Sequence, residues 1–180
     1  MKNWRNSHQY PENRYRILFL GNAPFRAILL SMQYTLAHIG QRASAGDEFN
    51  ALTKVYLQRI SAFSRCESTL FRDEPALLEW LQRQQGRTSA IAVLLDSRGR
   101  QMTSEAFAAW LGQRRDEGAQ HVVFVIGPAD GWSENTRRHA QLLLSLGPLT
   151  LAHALARLVM AEQLYRACTI LAGHPYHTGH

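Results

Sequence analysis

The spacing of hydrophobic positions changes repeatedly along this 180-residue chain, and each change marks an element. Met32 to Gly40 carries β-branched and aromatic residues and stops at glycine, which predicts a strand. From Asp47 to Phe63 the residues Phe49, Leu52, Val55, Tyr56, Ile60 and Phe63 recur at helical spacing, with Asp47 placed as a cap, so an amphipathic helix is expected. A short strand from Glu67 to Phe71 and a helix from Glu74 to Gln84, ended near Gly86, come next. Residues 88–95 and 121–126 are nearly continuous apolar runs of the kind that parallel sheets bury on both faces. Between them, Asp96 to Arg100 reads as a turn, and Ser104 as the cap of a helix through Glu117 with Phe107, Trp110 and Leu111 facing inward. Gly127 to Gly131 reads as a loop, Ser133 as the cap of another helix, and Leu142 to Leu146 as a brief strand.

The last long element is the most unusual. From Ala152 to Leu171 there is no proline or glycine, and Thr150 is placed to cap a helix. On a wheel of about 100° per residue, His153 and Arg157 fall on one side and Glu162 and Arg166 nearly opposite, with Leu155, Leu158, Val159, Tyr165 and Cys168 between. A helix that is apolar over most of its circumference is buried over most of it. It is therefore expected to pack on its own domain along one side and on a second chain along another. Glu162 with Arg166 reads as a structural i,i+4 pair, and His153 with Arg157, just after a Gly-Pro loop, as a functional one.

Strands alternating with helices imply a parallel α/β sheet covered on both faces. Ligands of such sheets bind outside the carboxyl ends of the strands. Three loops meet that rule: Leu95-Asp96, Gly127 to Gly131, and Leu146 to Thr150.

Composition changes this picture only modestly. The 20 Lys and Arg against 14 Asp and Glu leave a formal charge of +6, which favours a polyanionic partner such as nucleic acid. Two well-separated cysteines, Cys66 and Cys168, suit a reducing cytoplasm better than a disulfide framework. The apolar run from Ile17 to Leu30 is broken by Asn22, Pro24 and Arg26, too short for a membrane span and without a cleavage pattern. No membrane association is expected. Residues 1–31 differ in character from the rest of the chain and read as an N-terminal extension to a domain of residues 32–180. Dinucleotide and triphosphate glycine motifs are absent, as is a nucleophile elbow. His174, His177 and His180 recur every third residue, yet no strong ligand elsewhere in the sequence accompanies them, so no metal site is expected.

One resemblance is carried by specific residues. The run Ser145-Leu146, Leu149-Thr150-Leu151, His153, Leu155, Arg157, Ala161 to Ala167 and His174-Pro175-Tyr176-His177 closely resembles the RlmH family of SPOUT-class methyltransferases. The match extends back through Gly127, Ala129-Asp130-Gly131, Leu95-Asp96, Gly99, Tyr56 and Arg59-Ile60 to a start at Met32. The resemblance implies a homodimeric α/β fold with a C-terminal deep trefoil knot. It also implies S-adenosylmethionine-dependent methylation of N3 of a pseudouridine in large-subunit rRNA, on the assembled ribosome in the cytoplasm. Carried over by motif, Leu95, Gly127, Leu146, Gly147, Pro148, Leu149, Thr150 and Leu151 would line the cofactor site, and His153, Arg157, Tyr176 and His177 would serve catalysis. Pro128, Gly147-Pro148, Ala152 and Thr178 depart from the family pattern. These departures leave two other readings open: a SPOUT methyltransferase with another rRNA or tRNA target, and a ribosome-binding module without catalysis.

Overall fold

A computed structural model of the chain describes residues 32–40, 46–84 and 89–177. The expected extension, residues 1–31, and the last three residues lie outside them. Five strands, β1 (Gln33–Ile39), β2 (Cys66–Phe71), β3 (Ile91–Gln101), β4 (His121–Ile126) and β5 (Leu142–Ser145), form one sheet in the order β2-β1-β4-β3-β5. Every pairing in it is parallel. β4 is central and buried at all six positions, as its unbroken apolar run requires.

Alternation along the strands sorts the core into two layers. Tyr34, Leu36, Val93, Val122 and Phe124 face one way, toward α1 (Glu48–Ile60), α3 (Ser104–Asp116) and α5 (His153–Leu171). Ala37, Ile39, Leu94, Val123 and Val125 face the other, toward Leu77 of α2 (Glu74–Arg83) and Trp132, which precedes the short helix α4 (Glu134–Arg138). Full burial of each such side chain contributes about 1.5–3 kcal/mol, so the two layers together hold the strand ends in fixed register.

Four helices begin where a side chain satisfies their first free N–H groups. Asp47 caps α1 through the Asn50 amide at 2.9 Å, Asp73 caps α2 through Ala76 at 2.9 Å, and Ser133 caps α4 through Thr136 at 3.2 Å. α3 is capped by Thr103, through Ala106 at 3.2 Å, instead of the expected Ser104. Thr150 does not cap α5. That helix starts from Ala152 with no side-chain cap and no acidic residue in its first turn.

Two further expectations change. Asp96 to Arg100 does not end β3. Leu144 pairs with both Leu95 and Arg100, so residues 96–99 bulge out of a strand that resumes and runs on to Gln101. Gly99 permits this, since a Cβ there would lie 2.6 Å from the Leu143 backbone. On α1, Ile60 is buried, but Phe49, Leu52 and Val55 are 42%, 50% and 41% exposed, so only part of the apolar stripe meets this chain's own core. None of the helices is long and apolar enough to cross a membrane, among the described residues.

Candidate active site

The ends of β3, β4 and β5 are neighbours in the sheet, and the segments leaving them enclose a cavity of about 700 Å³. Leu95 and Asp96 come from β3, Ile126 and residues 127–131 from β4 and its loop, and Leu146, Gly147, Leu149, Thr150 and Leu151 from the segment after β5. Seven of the eight expected cofactor residues thus line one cavity. Pro148, in the same loop, is not among its lining residues. Ala152, His153 and Ala156 bring the uncapped start of α5 to the wall, so the positive end of that helix opens on the cavity.

The indole of Trp132 sets the floor. Its Nε1 donates to the Leu95 carbonyl at 2.8 Å, tying the β4 loop to the end of β3. Its ring lies so close to Gly127 that a Cβ there would come within 2.6 Å. Beside it the Asp96 carboxylate, only 5% exposed, accepts from the Arg98 amide at 2.9 Å and from Arg137 Nε at 2.8 Å. Trp132 and Arg137 escape a reading of the sequence because neither lies in a motif.

His153 and Arg157 do not bond to each other. His153 Nε2 donates to the Gly127 carbonyl at 2.9 Å, which leaves Nδ1 as the ring's acceptor. Arg157, buried to 4% exposure, instead donates from one terminal nitrogen to His38 Nε2 at 3.0 Å. His38 escapes such a reading too, because a histidine within a strand looks like any other polar position, and 119 residues separate it from Arg157.

Tyr176 and His177 stand elsewhere. They occupy a 3₁₀ turn, Pro175–His177, beyond the far end of α5. The turn folds back along the helix as far as Glu162, nine residues or about 13 Å from His153, and neither Tyr176 nor His177 lines the cavity. The Tyr176 hydroxyl donates to Glu162 at 3.1 Å and its ring packs on Tyr165, 4.7 Å between centroids. Arg166 lies over the same ring and pairs with Glu162 at 2.7 Å, the structural pair expected from the sequence. Burial, then contact with Tyr56 and Glu162, holds the Tyr176 phenol above its ordinary range, so it stays protonated. His177 meets Glu105 of α3 at 2.7 Å. Hydrogen bonds from its own backbone, from Thr103 and from His177 hold the Glu105 carboxyl down at about 2.

Comparison with known proteins bears on the family of the chain. The family model described as "Predicted SPOUT methyltransferase" matches residues 32–177. A protein of Koribacter versatilis named ribosomal RNA large subunit methyltransferase H is 50% identical over 129 residues, 72% of this chain and 88% of its own length. One of the same name from Rhodospirillum centenum is 57% identical over 88 residues, 49% of this chain and 58% of its own length. Among solved structures, the SpoU methyltransferase AviRb from Streptomyces viridochromogenes, in complex with AdoMet, matches 76% of this chain and 58% of its own at 11% identity, with a TM-score of 0.44. That score is too low to bear on the cavity. The sequence relatives and the family model decide the matter: the chain belongs to the SPOUT methyltransferases, and within them to the RlmH family.

Proposed function

We propose that the protein is an S-adenosylmethionine-dependent methyltransferase that modifies N3 of a pseudouridine in large-subunit rRNA, on the assembled ribosome. It works in the cytoplasm as a homodimer of domains spanning residues 32–180, each with its C-terminal segment drawn into a trefoil knot. The observation that carries this reading is the 50% identity to a large-subunit rRNA methyltransferase across most of both chains, joined to one cavity at three strand ends.

The residues present fit the cofactor. Leu95, Ile126, Leu146 and Leu151 offer apolar walls to a purine, the loop backbone offers hydrogen bonds to its edge, and about 700 Å³ is within the usual range for small-molecule sites. When bound, S-adenosylmethionine supplies an electrophilic methyl group. The chain's task is to align the target nitrogen and remove its proton. His153, its Nε2 proton committed to Gly127, keeps Nδ1 as the acceptor for that proton, directly or through one water. Arg157 or Arg166 stabilises the negative charge that develops on the ring carbonyls. Tyr176 and His177 act on the cavity of the partner protomer.

The half-exposed side of α5, with Leu155, Leu158 and Val159, supports a second chain at this helix. Mass spectrometry of rRNA from a strain lacking the gene tests the assignment. Loss of one methyl from a large-subunit pseudouridine is expected, and unchanged large-subunit rRNA would contradict it.

A further inference from the structure

Arg157 presents a physical problem that the proposed reaction does not resolve. A guanidinium is always charged, and burying a charge is costly unless it is paired and hydrogen-bonded. Yet this one is 4% exposed, no described carboxylate pairs with it, and its Nε has no hydrogen-bond partner among the described residues. Its terminal nitrogen meets His38, itself 6% exposed, at the end of β1. Because an arginine can only donate, His38 Nε2 must be a bare lone pair, so His38 is neutral with its proton on Nδ1. The His38 ring also lies 5.8 Å from that of His153, and its strand neighbours Leu70 of β2 and Ile126 of β4 are apolar. From α5, both Arg157 and His153 lie against His38.

We infer that His38 is a positioning residue for methyl transfer: as a neutral acceptor it fixes the Arg157 guanidinium beneath the strand end where Gly127 and His153 meet the cavity. This rests on the cavity being the methyl-transfer site. Held there, the buried cation favours the deprotonated target nitrogen over its neutral form.

The test compares His38→Gln, whose side-chain oxygen accepts at every pH, with His38→Leu, which cannot accept. Single-turnover methyl transfer is measured for both variants and the wild type under the same conditions. His38→Leu should lose about tenfold to a hundredfold, the worth of a hydrogen bond to a charged group, and His38→Gln should restore most of it. Equal rates for the Gln and Leu variants would overturn the inference. Ring-nitrogen NMR shifts of the wild type separate this from failure of the site assignment. A protein that transfers no methyl group but shows His38 protonated on Nδ1 alone at neutral pH retains the His38 arrangement, whereas a proton on Nε2 excludes it.

Discussion

At the residue scale the cavity depends on one missing carbon. Gly127 lies against the Trp132 indole, and a methyl group there would come within 2.6 Å of a rigid ring that also bonds Leu95. Gly127→Ala is expected to cost about 1–3 kcal/mol, the range for overpacking, and to weaken cofactor binding as Trp132 shifts. Thermal unfolding and calorimetry check this, and an unchanged melting temperature with unchanged affinity would contradict it. The cysteines make a different point. Burial pushes the thiols of Cys66 and Cys168 up to about 12, so about one part in ten thousand is thiolate at pH 8. Alkylation by iodoacetamide should therefore be slow in the native protein and fast in urea, whereas fast native labelling would refute the burial. Glycine in a loop was readable as a site of close approach; its partner, Trp132, was not, because five residues of loop hide which way an indole turns.

At the scale of elements, α5 joins the two halves of the proposed chemistry. Its start opens on the cavity through His153, and its middle and second half carry Glu162 and Arg166, on which the Tyr176 turn packs. That this helix is apolar over most of its circumference was legible from residue spacing alone. Spacing did not reveal that His153 and Arg157 bond to β4 and β1 instead of to each other. It predicts which side chains are neighbours on a helix, but a strand carbonyl or an imidazole competes for the same donors. If the tail serves a partner's cavity, Tyr176→Phe and His177→Ala should each slow single-turnover transfer by about tenfold or more while leaving cofactor affinity near wild type. Unchanged rates in both variants would remove the tail from the mechanism.

At the scale of the molecule, the order β2-β1-β4-β3-β5 sets β3, β4 and β5 side by side and so gathers three distant loops. That outcome was legible because two apolar runs identified buried parallel strands, and ligands of such sheets sit beyond the carboxyl ends. The bulge in β3 was not legible, because Asp-Ser-Arg-Gly carries the residues of a turn, and only packing against Leu143 keeps the strand going. The net charge of +6 suits an rRNA partner without specifying one. The central claim is methylation of a pseudouridine, and it is tested most directly by supplying the purified protein and S-adenosylmethionine to ribosomes lacking the modification, with and without prior pseudouridylation. A methyl group on N3 of one large-subunit pseudouridine, with much less transfer to the unmodified uridine, is the predicted result. No transfer to either ribosome, or transfer to tRNA instead, would contradict the account.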